Sequence, residues 1–413
     1  MTRLIVRGAD IMVKLLIARI KGIEKDFLLF MIVGVFLGVA TSVDNSTLNN
    51  FLLEKFHLSI TQRSNMEILR ELPGFLVFLV TGFMFALGDI RIAVIANICA
   101  AVGMFALGII PANYAIMLIF MFIYSMGLHV YMPLANSIGM SFANDTNMGR
   151  KLGRVNAANT AALLLSSAAL WFLFQFFKIS YTITFTIGTV ALLFAALFLI
   201  LMNPRQTSKL KTRFVFKKEY ILYYWLSLLF GARKQILLTF APWVLVKVFK
   251  QAVTTMTLLV FIIAFLGIFI KPFVGYLIDK IGEKFVLGSE AFLFFFVCLG
   301  YAFASNLLPI NGAIILTCIC YIMDQSLNAV TIARATYMKK IAVKEEDVSP
   351  TLATGTSIDH IMSMFLPTLG GIVWITFGYK YVFIGGAILA FINFFSTRYI
   401  KIKPRESILL EDI

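Results

Sequence analysis

Several charged side chains interrupt long apolar runs in this 413-residue sequence, and their types and spacing suggest where chemistry is done. Asp44 lies in a polar stretch from Thr41 to Asn50. Glu67, Arg70 and Glu71 are three and four apart, which puts them near one face of a helix, and Pro73 and Gly74 follow at once. His129 stands between Ser125 and Tyr131, and Asp324 with Gln325 between Tyr321 and Ser326. Arg233, Lys234 and Gln235 stand between Gly231 and Trp243, and Asp359 with His360 between Gly355 and Ser363.

A charge at the centre of a hydrocarbon layer costs roughly 2.5 to 3.5 kcal/mol even on the gentler insertion scales, so each such group needs a partner or a wet cavity. Two adjacent cations, Arg233 and Lys234, must meet carboxylates or an anionic ligand. Successive helical residues point about 100° apart, so one of the two faces any given cavity. The candidates for contact with a solute are Asp44, Arg70, Glu71, His129, Arg233, Lys234, Gln235, Asp324 and Gln325. A carboxylate beside an imidazole holds and releases a proton near neutral pH, which makes Asp44, Asp324, Asp359 and His360 candidates for carrying one. Each group also has a plainer reading. The cations can be halves of salt bridges between helices, Glu67, Arg70 and Glu71 can form a self-contained network, and a buried imidazole can be simply hydrogen-bonded. Arg70 and Glu71 also read as an external gate, and Lys271 with Glu290 as a structural pair.

These residues need long apolar elements to hold them. The chain is 60% hydrophobic and 14% charged, with a mean hydropathy of +0.90, far from soluble domains. The forty-one Phe, eighteen Met and twenty-seven Gly fit lipid-facing surfaces and close helix contacts. A net charge of +15 is scattered among apolar runs rather than gathered in a patch, so nucleic acid is not the expected partner. The four cysteines form no CxxC pair and have no histidine at ligand spacing, so neither a disulfide nor a metal site is expected. No P-loop appears, and no cofactor is expected.

Apolar runs long enough to cross about 30 Å of hydrocarbon fall near 27–52, 66–88, 92–110, 113–136, 152–175 and 181–202. Six more fall near 219–247, 253–278, 284–305, 310–335, 351–376 and 379–398. The expected fold is all-α and polytopic, with twelve membrane helices in two six-helix halves. A basic N-terminal segment (1–26) precedes the first half (27–202). A basic linker (203–218) leads to the second half (219–398) and a short tail (399–413). Most of the 36 Lys and Arg fall on the side of the termini, so both termini are expected in the cytoplasm, across a plasma (bacterial inner) membrane.

Sliding the chain along itself until Gly38 meets Gly231 also superposes Phe56 on Phe249, Thr61 on Thr254 and Gly82 on Gly275. The two halves thus read as a repeat. The run Gly275, Asp279, Lys280, Gly282 and Lys284 at the inner end of the eighth span resembles the loop signature of the major facilitator superfamily. In the first half Gly82 is kept but Ala86 stands at the acid position, with Asp89 and Arg91 displaced.

The resemblance implies a secondary transporter whose spans 1, 4, 7 and 10 line a central cavity, with those five residues as a cytoplasmic gate. In this reading a monomer moves a small polar, anionic or zwitterionic solute by alternating access, coupled to a proton or another ion, and it is not an enzyme. The span-4 Arg and the Gly-Pro motif of drug antiporters are missing, which counts against a multidrug exporter. A membrane-embedded acid–base enzyme acting on a lipid-linked substrate, and a transporter-like sensor, are the readings from other classes.

Overall fold

The computed structural model describes residues 24–83, 87–142, 148–203, 216–344 and 347–402. Residues 1–23 of the basic N-terminal segment, 204–215 of the linker, Ala86 and the tail beyond residue 402 lie outside the described residues. Among the described residues there is no strand. In hydrocarbon every backbone N–H and C=O must be satisfied internally, and a helix does this within one segment.

Among the described residues twelve long helices follow one another. The first six are α1 Lys25–Phe56, α2 Ile60–Phe83, α3 Asp89–Ile109, α4 Tyr114–Ser141, α5 Met148–Phe172 and α6 Tyr181–Ile200. The second six are α7 Ile221–Trp243, α8 Val253–Ile281, α9 Glu283–Leu307, α10 Ile310–Leu327, α11 Val348–Phe377 and α12 Tyr379–Thr397. A single turn, Asn328–Val330, carries α10 on into Thr331–Ile341. Eleven of these helices are long and apolar enough to cross a membrane. The remaining one, α2, carries Arg63, Glu67, Arg70 and Glu71. It begins at Ile60, ahead of the expected start near 66, so Arg63 is a residue of the helix.

Large apolar side chains point outward along the helices, among them Leu165, Phe269, Ile372 and Phe377, while Phe51, Phe185, Phe240, Trp243 and Phe294 are buried. Where helices meet closely the residue is small. A Cβ on Gly38 would come within 2.9 Å of the Ala162 Cβ of α5, and one on Gly371 within 2.6 Å of the Ser64 Oγ of α2. Helices that gain nothing from hydrophobicity in lipid gain van der Waals contact in this way.

The repeat is visible in the backbone. Phe56 and Phe249, superposed in the sequence, are each followed by a residue in the left-handed region, His57 (φ 51°) and Lys250 (φ 52°). The turns opening α3 and α9 both use a glycine at positive φ, Gly88 (φ 76°) and Gly282 (φ 93°). The gap-free superposition sets Gly282 against Asp89, so the register slips by one residue in this loop. The slip follows from the turn, because its φ is one that glycine alone adopts readily.

Candidate functional site

Four polar clusters occupy the middle of the bundle, and three of them join the two halves or line the space between them. The first is built on α2. Glu67, fully buried, forms an ion pair with Arg63 one turn earlier, which is 1% exposed. It also pairs with Arg70 at 3.2 Å and accepts the amide of Gln235 from α7 at 2.9 Å. Arg63 turns its other edge to Asn49 Oδ1 of α1 at 3.3 Å. One carboxylate therefore ties α2 to α7 while two guanidiniums share it.

Beside this network lies a cavity of about 120 Å³ lined by Asp44, Asn45, Asn49, Arg70, Tyr321 and Gln325 on its polar side, and by Leu48, Leu163, Leu238, Pro242, Val260 and Ile263 elsewhere. Both halves contribute to its wall. Asp44 approaches the Tyr124 hydroxyl of α4, and its carboxylate oxygen Oδ1 has no hydrogen-bond partner among the described residues. The cavity is smaller than a typical ligand pocket of roughly 300 to 1,000 Å³.

The second half holds its own cluster. Arg233 is clamped between Glu290 of α9 at 2.5 Å and Asp324 of α10 at 3.1 Å, and its guanidinium lies 4.7 Å from the Phe294 ring centroid. Gln325 donates to Asp324 at 3.1 Å. Lys234 turns the other way and pairs with Asp359 of α11 at 2.9 Å. Arg334, on the continuation of α10, stacks on Phe230 at 3.3 Å.

The fourth cluster joins α2, α4 and α11. His360 Nδ1 meets Glu71 Oε2 at 3.0 Å, and the His129 ring lies 5.1 Å from that of His360.

Several expectations are corrected by these positions. Arg233 and Lys234 do not line the cavity, because each is taken up by carboxylates of its own half. Asp359 and His360 do not act on one another, since neighbouring helical residues diverge and each finds a different partner. His129 turns toward α2 and α11 rather than into the cavity. Glu290 pairs with Arg233, while Lys271 is exposed. Arg70 borders the central cavity rather than an outer gate.

Of the five residues of the loop signature, Asp279, Lys280 and Lys284 are exposed, and Gly275 faces open space. The buried acid of this loop is Glu283, held by Lys340 at 2.7 Å. Lys284 donates to the carbonyl of Arg398 at 2.8 Å.

The contacts across the halves have a direction. At the end away from the termini, Asn50 donates to the Gln251 carbonyl at 3.0 Å, and Lys247 donates to the Leu58 carbonyl at 3.0 Å. Thr368 donates to Asn65 at 3.1 Å, and the Arg63 guanidinium lies 5.8 Å from the Trp243 ring centroid. At the terminus end, the ion pairs among the described residues stay within one half: Lys217 with Asp347 and Lys340 with Glu283. The far end is stitched across the halves.

The sequence profile described as the Major Facilitator Superfamily matches residues 28–342, well over half of the chain. The chain belongs to the major facilitator superfamily. No curated protein matches it. Among solved structures, the nucleoside transporter NupG is 13% identical with a TM-score of 0.70, covering 91% of this chain and 99% of its own. A D-xylose–proton symporter is 14% identical with a TM-score of 0.67, covering 91% and 97%. A bacterial homologue of the human lysosomal transporter Spinster, inward-facing and occupied, is 15% identical with a TM-score of 0.64, covering 90% and 95%. At these identities the likeness is one of fold. This chain is therefore a multi-pass membrane protein of a transporter family and not an enzyme.

Asn45 and Asn49 lie in the polar stretch around Asp44 that the sequence singles out, whereas Arg63, Tyr124, Tyr321 and Arg334 belong to these clusters without having stood out in the sequence. Arg63 was readable there, because it lies four residues before Glu67, on the same helical face. The others carry no signal of their own in one sequence.

Proposed function

We propose that this superfamily member moves a small zwitterionic or similarly bipolar solute, using the cavity between its halves as the binding site and a proton as the coupling ion. The observation that carries the reading is the pairing, on one cavity wall, of a carboxylate oxygen without a partner (Asp44) and a partly exposed guanidinium (Arg70). A solute with a cationic and an anionic group satisfies both. Asn45, Asn49, Tyr321 and Gln325 supply further hydrogen bonds. A purely lipophilic cargo would leave the Asp44 oxygen unpaired, at a cost of about 1 to 3 kcal/mol.

Proton coupling rests on the Arg233 cluster. Asp324 is faced by Arg233 from α7, by Glu290, Cys298 and Tyr301 from α9, and by Cys320, Tyr321 and Gln325 from its own helix. Arg233 is shared by two carboxylates, and Arg334 makes no ion pair among the described residues but stacks on Phe230. Two carboxylates thus face one cation, which leaves a negative charge in the cluster for a coupling cation to neutralise.

With the termini in the cytoplasm, as the basic residues favour, the stitched end is the outer one. Rocking the halves about the cavity then opens the outer side.

Uptake into proteoliposomes under an imposed pH gradient, with labelled amino acids, nucleosides and pentoses as candidate solutes, tests the reading. Wild-type uptake is expected to follow the gradient, and Asp324→Asn to retain exchange while losing the gradient dependence. Gradient-indifferent uptake by the wild type overturns the coupling, and binding confined to lipophilic cations overturns the solute class.

A further inference from the structure

The Glu71, His129 and His360 cluster is not used by the solute cavity or by the Arg233 cluster. It draws one residue from each of α2, α4 and α11, so it spans both halves. One donor atom from each of the three residues lies within 4.8 Å of the others. Glu71 and His360 are buried, at 6% and 7% exposure, and His129 is partly exposed, which leaves a way in.

The hydrogen bonds set the tautomer of His129. The Ser125 hydroxyl donates to the carbonyl of Arg70, so toward His129 it offers only its oxygen. The other neighbour of His129 Nδ1 is the Ser125 carbonyl, at 2.9 Å. Both are acceptors, so Nδ1 carries the proton and Nε2 keeps its lone pair. An imidazole anchored by Nδ1–H to a backbone carbonyl, with Nε2 bare, has the arrangement that metal-binding histidines use. Among the described residues no hydrogen bond reaches Nε2 of either ring.

Room for the two rings comes from Gly74. A Cβ there would lie 2.5 Å from His360 Cε1 and 2.7 Å from His129 Cδ2. Lys234 and Arg70 also act on Glu71, but Lys234 is paired with Asp359 and Arg70 with Glu67.

We infer that Glu71, His129 and His360 form a binding site for a borderline-soft divalent cation of the zinc class, which bridges the two halves. Two imidazoles and a carboxylate, with a fourth position left to water, suit zinc, cobalt or nickel, whereas magnesium and calcium prefer all-oxygen shells. Bonds of about 2.0 to 2.2 Å in a tetrahedron set donor atoms about 3.3 Å apart. Donors at the full 4.8 Å must therefore draw together by about 1.5 Å, which side-chain rotation supplies. Because the site takes ligands from both halves, the bound ion holds them in the present arrangement.

The test uses the full chain purified without a polyhistidine tag, titrated with zinc and with magnesium while thermal unfolding is followed. The third histidine of the chain, His57, is exposed, and His57→Ala serves as control. Zinc is expected to raise the apparent melting temperature saturably in the wild type and in His57→Ala. In His129→Gln and in His360→Gln, about tenfold or more zinc should be needed for half the effect. Magnesium should do nothing at the same concentrations. Equal zinc response in wild type and both variants, or equal response to magnesium, overturns the site. Should either variant fold poorly, cobalt in the wild type decides. One equivalent per chain with a tetrahedral absorption spectrum supports the site, and an octahedral spectrum contradicts it.

Discussion

Replacing Glu67 by Gln removes the only carboxylate ion-paired with Arg63 among the described residues, where the Arg63 side chain is 1% exposed, and weakens the hold on Arg70 at 3.2 Å. It also leaves one amide oxygen where two carboxylate oxygens accepted from Arg63, Arg70 and the Gln235 amide. Breaking a buried pair by deleting one partner costs about 3 to 5 kcal/mol, because the other charge stays buried. Hydrogen bonds inside membrane bundles are worth less than that logic suggests, averaging about 0.6 kcal/mol in one well-measured case. The expected loss for Glu67→Gln is therefore at the lower end, about 3 kcal/mol. A double variant probes the same physics from the other side. Arg63→Met added to Glu67→Gln removes the stranded charge and recovers about half of the loss or more, since an apolar side chain of similar length replaces it. The assay is reversible unfolding of the detergent-solubilised protein by SDS titration, comparing wild type, Glu67→Gln and the double variant. A single variant within about 1 kcal/mol of wild type refutes the claim that Glu67 compensates a buried charge. So does a double variant no more stable than the single one.

Gly282→Ala, at φ 93°, is expected to destabilise by about 1 kcal/mol or more through backbone strain. Gly275→Ala, which meets nothing within 4 Å in mid-helix, should instead be neutral or stabilising; the same unfolding assay compares them. At the terminus end, Lys217 and the Tyr220 hydroxyl hold the Asp347 carboxyl below the usual carboxylate range. A lowered folded value means that the stabilisation is present above the unfolded pKa and is lost as pH falls through the folded one. Lys217→Met should flatten that acid limb of a melting-temperature profile, and an unchanged limb would contradict the pairing.

Much of the fold was legible because the membrane restricts the choices. Twelve runs of apolar residues have few alternatives to helices, and the Phe56 and Phe249 correspondence survives in the paired left-handed residues that follow them. The site was legible by type but not by partner. That Arg233 and Lys234 need carboxylates followed from the cost of a buried cation. That the carboxylates are Glu290, Asp324 and Asp359, and leave neither cation for a ligand, depends on which helices touch. The meeting of Glu71 with His129 and His360 depends on Gly74 offering space where α2, α4 and α11 converge. A single sequence shows the glycine but not what lies against it. The loop signature marked Asp279, which is exposed, but gave no sign that its neighbour Glu283 is the buried acid.

Binding of a bipolar solute where Asp44 and Arg70 face the cavity is tested most directly by thermal-shift screening of the purified protein. The panel is amino acids and other small zwitterions, nucleosides, pentoses and lipophilic cations, since a ligand that binds only the folded state raises its stability by mass action. Saturable stabilisation by one zwitterionic or similarly bipolar compound is expected, lost in Asp44→Asn but kept in Lys234→Gln. Stabilisation that survives Asp44→Asn and disappears with Lys234→Gln, or that comes from lipophilic cations alone, would contradict it.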